Sequence, residues 1–267
     1  MTAGKILVVL PTLGDRLGHL RETLAAIDEQ RADVELTLVV VLPAGADEAR
    51  GLAEAHGAVV VTDPRRGISE AINAGIDAAT DETYYAWMGD DDLYRPGGLR
   101  VLRGLLERSP GAVLAYGACE YIDPEGRVIG TSAAGRLAQF LLPWGPCLIP
   151  HPGSMIRLDA MRSVGLFDPA LRYAMDLDLF LRLRREGRFV CTRSRVSAFR
   201  WHPDSLTVSN RQGSSDEAAL VKARHLPGWL RPVSPLWLEP VKVAAAVAAR
   251  GVSRRARALA AGAGGTP

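Results

Sequence analysis

The chain has 267 residues, 48% of them hydrophobic and 23% charged, which supplies one substantial core and fits one domain with a C-terminal extension better than two full domains. A formal net charge of +2 gives no global electrostatic case for a nucleic-acid partner. Cys119, Cys147 and Cys191 lie far apart with no Cys-x-x-Cys pair, which argues against a zinc knuckle or a disulfide framework and for buried or half-buried thiols in a reducing compartment.

Lys5–Leu10 (KILVVL) is a continuous apolar run rich in β-branched residues and ends at Pro11, the pattern of a strand buried on both faces. Only this short run follows Lys5, so no signal peptide is expected, and no stretch approaches the roughly 20 apolar residues of a spanning helix. The chain therefore reads as cytoplasmic. Residues 17–30 place Leu17, Leu20, Leu24 and Ile27 at the spacing of a core-facing helix. Val34–Leu42 reads as a second buried strand, 46–56 as a helix, Ala58–Thr62 as a strand, Gly67–Ala79 as a helix and Thr83–Met88 as a strand. This alternation predicts an α/β, Rossmann-like, mostly parallel sheet with helices on both faces. Ligands bind beyond the carboxyl ends of such strands, where Pro11-Thr12, Asp63 and Asp90–Asp92 fall.

The second half is less regular. Residues 97–108 read as a helix, Ala112–Tyr116 as a strand, and Asp123-Pro124-Glu125-Gly126 as a turn between short strands. Ser154–Arg157 reads as a strand, Leu158–Val164 as a short helix, Met175–Glu186 as a strong helix, and Phe189–Thr192 and Val196–Trp201 as two strands. A domain over 1–225 divides into a regular half, 1–117, and a less regular half, 118–225. Residues 226–267 form a helical extension, rich in Pro and Trp to 240 and in Ala and Arg beyond. Within it, 236–261 read as a basic helix with apolar Leu236, Trp237, Val241, Val243, Val247 and Val252. Such a helix suits peripheral contact with the inner face of the cell membrane, or packing on the domain or on a second subunit as a homodimer.

Asp90-Asp91-Asp92 follow the fourth strand directly. Three adjacent carboxylates repel and raise one another's pKa unless a counter-charge is present. Mg2+ or Mn2+, held by carboxylates and shared with phosphate oxygens, would remove that cost and act as a Lewis acid. The competing reading is a solvated acidic turn before Pro96-Gly97.

The order Leu7-Val8-Val9-Leu10-Pro11-Thr12, Gly67-x5-Asn73-x-Gly75 and Trp87-Met88-Gly89-Asp90-Asp91-Asp92-x3-Pro96-Gly97-x-Leu99 resembles family 2 glycosyltransferases with the GT-A fold. So do His151-x2-Ser154-Met155-x-Arg157, Val164-Gly165-x-Phe167-Asp168-x2-Leu171-Arg172 and Met175-Asp176-x-Asp178-Leu179-x-Leu181-Arg182-Leu183, and the resemblance spans roughly residues 4–210. It implies inverting transfer of a sugar, as in a hexosyltransferase, from a nucleotide-diphospho-sugar to a sugar or lipid-linked acceptor hydroxyl in glycolipid or cell-surface polysaccharide synthesis, with 1–225 as the catalytic domain, 1–117 its nucleotide-sugar-binding half and 118–225 its acceptor half. By the same resemblance Asp91 is a metal ligand with Asp92 and His202 as further ligand candidates. Asp90 lies near ribose or metal, Pro11 and Thr12 lie beside the nucleoside, and Arg16, Asp63, Gly67 and Asn73 belong to the donor pocket. Arg65 or Arg66 is expected on the diphosphate, with Arg66 the candidate donor contact.

Inverting transfer needs a general base. The family places an aspartate at a helix start, usually after a glutamate; here Met175-Asp176 matches, with the glutamate missing. Asp176 is the candidate base. Asp178 lies about 200° away around the helix and, with His151, is a weaker candidate for the acceptor pocket. The second strand ends Val41-Leu42-Pro43-Ala44-Gly45 without the usual acid for a uracil, so either Asp63 substitutes or the donor is not a uridine nucleotide. The missing glutamate favours a non-catalytic nucleotide-sugar-binding module as the alternative. A nucleotidyltransferase is disfavoured, because Pro11-Thr12-Leu13-Gly14 is no Gly-rich basic loop.

Overall fold

The computed structural model describes residues 4–132, 135–201, 210–234, 236–238, 240 and 243. Strand β1 (Ile6–Pro11) is followed by α1 (Leu17–Gln30), β2 (Leu36–Leu42), α2 (Asp47–Ala55), β3 (Val59–Thr62), α3 (Ile68–Asp77) and β4 (Tyr84–Trp87). Next come β5 (Leu93–Tyr94), α4 (Gly98–Glu107), β6 (Ala112–Ile122), β7 (Val128–Ser132) and α5 (Gly135–Leu141). A short 3-10 turn (His151–Gly153), β8 (Ser154–Arg157), α6 (Leu158–Ser163), α7 (Met175–Leu183), β9 (Arg188–Arg200), α8 (Arg211–His225) and a 3-10 turn (Gly228–Val233) complete the described elements.

The strands form one sheet in the order β3-β2-β1-β4-β8-β6-β9-β5, with β7 on β6. β1 pairs in parallel with both β2 and β4, and β2 with β3. β8 runs antiparallel between β4 and β6, and β9 runs parallel to β6. The expected mostly parallel sheet is therefore observed.

The unbroken apolar run of β1 has its cause in the layers. Leu7 and Val9 face one apolar layer, with Ile72 and Ile76 of α3 and Leu179 and Phe180 of α7. Ile6, Val8 and Leu10 face the other, with Leu24 of α1, Ala53 of α2 and Leu102 of α4. Successive side chains alternate across a sheet, so a strand covered on both faces has no position for a polar residue. β3 is an edge strand and is only partly covered, with Val59 exposed. Gly75 lets α3 lie close on β1 and β2, since a Cβ there would fall 2.5 Å from Val9 Cγ1 and 2.9 Å from Val41 Cγ2.

Several expectations in the second half are corrected. β6 does not stop at Tyr116 but runs to Ile122, and the two short strands expected over 189–201 are one continuous strand, β9. The turn at Asp123–Gly126 does close the hairpin from β6 to β7, with Gly126 N–H donating to Asp123 O (2.9 Å). β5, α5 and α8 were not expected. Of the cysteines, Cys119 is buried and Cys191 half-buried, but Cys147 is exposed. Among the described residues no helix is long and apolar enough to cross a membrane. Most of the expected helix over 236–261 lies outside the described residues.

Candidate active site

The acidic run sits where β4 ends, and each of its carboxylates has a different environment. Asp90 is buried; Thr12 Oγ1, from the end of β1, donates to its Oδ2 (2.6 Å), and Arg16 Nη2 donates to its Oδ1 (2.5 Å). Asp91 receives Arg16 Nη1 on Oδ2 (2.6 Å). One guanidinium at the start of α1 thus forks across two carboxylates. Burial pushes the Asp90 carboxyl up, against the pull of Thr12 and Arg16. Burial also opposes the charge on Arg16, but Asp90 and Asp91 outweigh it and hold the guanidinium more firmly protonated than usual.

Asp92 turns inward. Its Oδ1 accepts the backbone N–H of Arg200 (2.9 Å), and its Oδ2 lies 3.6 Å from His151 Nε2. It is 1% exposed, and burial raises its pKa. Asp92 thereby ties the acidic turn to β9, an environment that suits support of the turn better than ligation of a metal. Arg200 reinforces that tie: its Nε donates to Asp91 O (2.9 Å), Nη1 to Pro124 O (2.7 Å) and Nη2 to Glu22 (2.6 Å).

His151, from the 3-10 turn before β8, stacks on Trp87 with ring centroids 4.1 Å apart and planes 14° apart. Its Nε2 faces Asp92 and its Nδ1 lies 3.8 Å from Asp176 Oδ2. Burial disfavours the imidazolium, yet Asp92, Asp176 and Asp91 together outweigh it and raise the His151 pKa. Trp87 Nε1 donates to Asp176 Oδ1 (3.3 Å). Asp176, in the first turn of α7, therefore reaches the same crevice as the acidic run, with its pKa raised by burial against His151 and Trp87. Glu217 of α8 fixes the approach to α7 by accepting the backbone N–H groups of Arg172, Tyr173 and Ala174.

An open groove of about 450 Å3 adjoins Thr12 and is lined by Leu13, Asp15, Pro43, Gly45, Asp63 and Arg65, among others. Asp63 Oδ1 accepts the N–H of Arg65 (2.7 Å), whose φ of +59° is the sole positive value at a non-glycine position among the described residues. Such strain in a side-chain-bearing residue points to function more often than to packing. Gly67, at φ +106°, makes the turn from this groove into α3.

Other expected donor and acceptor residues stand elsewhere. Arg66 is mostly solvated and pairs with Glu70 (3.3 Å), while Arg65 lines the groove. Both ends of the Asn73 amide go to Phe167: Nδ2 donates to its O (2.9 Å) and Oδ1 accepts its N–H (3.1 Å). Asn73 therefore pins the loop before α7. Asp178 is buried between Arg182 Nε (2.8 Å) and His225 Nε2 (2.9 Å), which leaves it no face toward an acceptor. Burial would raise its pKa, but those two partners pull it below the usual carboxylate range. His202 lies outside the described residues. Trp87 opens the Trp87-Met88-Gly89 motif without an expected role, and for Arg200 a lone arginine in the run Val196–Trp201 was the available signal.

Among the described residues no three His, Cys, Asp or Glu side chains converge as a ready cage for a metal. What the site offers instead is a pair of carboxylates, Asp90 and Asp91, already bridged by one cation, Arg16. That donor set suits an oxygen-preferring dication whose remaining ligands come from a diphosphate and water.

The pattern described as Glycosyl transferase family 2 matches residues 7–165. An uncharacterized glycosyltransferase of Rickettsia typhi is 26% identical over 178 residues, covering 62% of this chain and 55% of its own, so the chain spans about half the length of that relative. Staphylococcus aureus TarS (1–349), solved in complex with UDP-GlcNAc, superposes with a TM-score of 0.66 at 13% identity, covering 88% of this chain and 70% of its own. The mannosyltransferase PcManGT from Pyrobaculum calidifontis, solved in complex with GDP-Man and Mn2+, superposes at 0.61 with 20% identity, covering 99% and 81%. At these identities the superpositions establish the shared GT-A-like fold.

Proposed function

Since the chain belongs to glycosyl transferase family 2, we propose that it moves a sugar, with inversion, from a nucleotide-diphospho-sugar to an acceptor hydroxyl. The observation that carries this reading is the approach of Asp176 to the acidic run beyond the strand ends, with His151 between Asp176 and Asp92 and Trp87 on Asp176. The groove at Asp63 and Arg65 takes the nucleoside, and Thr12 and Arg16 orient the acidic pair against the diphosphate.

Asp176 accepts the acceptor's hydroxyl proton as its oxygen attacks the anomeric carbon and the bond to the diphosphate oxygen breaks. His151 and Trp87 hold that carboxylate in place, and the N-terminal dipole of α7 favours its ionised form. Asp91, with Asp90 beside it, would hold Mn2+ or Mg2+, which when bound neutralises charge on the departing nucleoside diphosphate. Asp92 and Arg200 keep the turn at that position. The complexes of TarS with UDP-GlcNAc and of PcManGT with GDP-Man and Mn2+ support the donor class and the dication. The acceptor is a sugar or lipid-linked hydroxyl of the cell envelope.

The test is turnover of a panel of UDP-, GDP- and dTDP-sugars with Mn2+. Asp176→Asn should lower kcat by about 10²- to 10⁴-fold while nucleotide affinity is retained. Wild type that binds a donor but neither transfers nor hydrolyses it would favour the non-catalytic module, for which Met175 in place of the glutamate is the one supporting feature.

A further inference from the structure

We propose that Arg16 is a tethered counter-ion that makes admission of the dication conditional on the nucleotide. In the free protein its guanidinium occupies the Asp90–Asp91 pair; when metal and nucleoside diphosphate arrive together it moves from Asp91 to the diphosphate. This inference rests on the metal-assisted reading above.

The geometry is specific. Nη2 and Nη1 of one guanidinium reach Asp90 Oδ1 (2.5 Å) and Asp91 Oδ2 (2.6 Å), the two carboxylates expected to face the metal. Those carboxylates are nearly buried, with side chains 6% and 13% exposed, whereas the Arg16 side chain is 38% exposed. The acidic groups are thus fixed and their cation is the component able to move. Asp90 is further held by Thr12 on its other oxygen. The Arg16 backbone is fixed by the first turn of α1, where its carbonyl accepts the N–H of Leu20 (3.0 Å). The side chain can therefore swing about a fixed root.

Leu13, Gly14 and Asp15, which immediately precede Arg16, line the open groove, so the arc available to Arg16 runs from the carboxylates toward the place where a diphosphate would lie. A dication on Asp91 Oδ2 would compete for an oxygen Arg16 already holds and would repel a guanidinium a few ångströms away. Bare metal must break the Arg16 contact with Asp91 to enter. A diphosphate changes the sign, because its oxygens accept a guanidinium in the same forked geometry. Metal and nucleotide should each strengthen the other's binding, and by linkage the enhancement is equal in both directions.

Binding of MnCl2 alone, of GDP or UDP alone, and of each nucleotide with Mn2+ tests this by calorimetry and by the electron paramagnetic resonance signal of free Mn2+. Arg16→Gln should bind MnCl2 alone about tenfold more tightly than wild type, and the mutual enhancement of metal and nucleotide should fall by a similar factor. Arg16→Lys, which keeps the charge but spans one carboxylate, should fall between the two and carries the test if the glutamine variant melts early. Equal affinity for MnCl2 alone in wild type and both variants, with wild type still binding Mn2+ together with nucleotide, would overturn the counter-ion role. Wild type that takes up no Mn2+ even with nucleotide would instead remove the metal-assisted reading, and the counter-ion role with it.

Discussion

Arg200→Met is expected to destabilise the protein by about 1–3 kcal/mol, the cost of leaving a buried acceptor unmet. Arg200 is 1% exposed, and methionine keeps most of its apolar stem while removing the guanidinium. The carbonyls of Asp91 and Pro124 lose charged donors at 2.9 and 2.7 Å. Each buried acceptor left unmet costs about 1–3 kcal/mol. Glu22 loses its contact at 2.6 Å but is 56% exposed and returns to water, so it adds little. The Asp91 carbonyl therefore sets the expected range, since Pro124 is exposed and its carbonyl can turn to water. Equilibrium urea unfolding, with the slope unchanged, measures it. Glu22→Gln is the internal control and should cost under about 1 kcal/mol. A loss below about 1 kcal/mol for Arg200→Met would show that water replaces the guanidinium without penalty and that Arg200 does not hold the acidic turn.

The remaining predictions concern groups with perturbed titration and one tight contact. His151 has a raised folded pKa, so its stabilising contribution is complete below its unfolded value of about 6.5 and is lost as pH rises through the folded value; the stability advantage of wild type over His151→Gln, measured by urea unfolding in EDTA, should shrink along that rise. A gap that widens with pH would invert the assignment. Asp178 has a depressed folded pKa, so its contribution is present above about 3.9 and lost as pH falls through the folded value. Asp178→Asn should cost about 1–3 kcal/mol at neutral pH, a difference that closes in acid; an acid-independent difference would contradict the ion-pair account. A Cβ on Gly98 would fall 2.2 Å from Val196 O, so Gly98→Ala must push α4 off β9, at a cost of about 1–3 kcal/mol in thermal or urea unfolding. A neutral substitution there would mean that the contact relaxes freely.

The parts of the fold legible in the sequence are those whose burial leaves a periodic trace. β1, β2 and β4 are covered on both faces, so they are written as apolar runs, and the helices between them carry one apolar stripe each. The acidic run was legible because three charges directly after a buried strand demand an explanation. β6 and β9 were misjudged because each supports the other over its irregular stretch: Gly117, Cys119 and Glu120 break the apolar pattern of β6, and Arg193–Arg195 break that of β9, yet the two strands pair with register shifts along this length. α8 is weakly amphipathic and owes its position to polar ties, with Asn210 Oδ1 accepting Gly213 N–H at its start and Glu217 capping the approach to α7. Side-chain roles were less legible than positions. The hydrogen bonds of Asn73 and Asp178 are consumed within the fold, and only the three-dimensional contacts distinguish that from a ligand role. The choice between Arg65 and Arg66 turned on a backbone angle that composition does not encode.

The central claim is that buried carboxylates at the end of β4 exist to hold a dication together with a diphosphate. Titrating wild type and Asp91→Ala with GDP and UDP, each in Mn2+ and in EDTA, tests it most directly. The account predicts that Mn2+ tightens nucleotide binding in wild type and has no effect in the variant. Wild-type affinity that is the same in Mn2+ and in EDTA would contradict it.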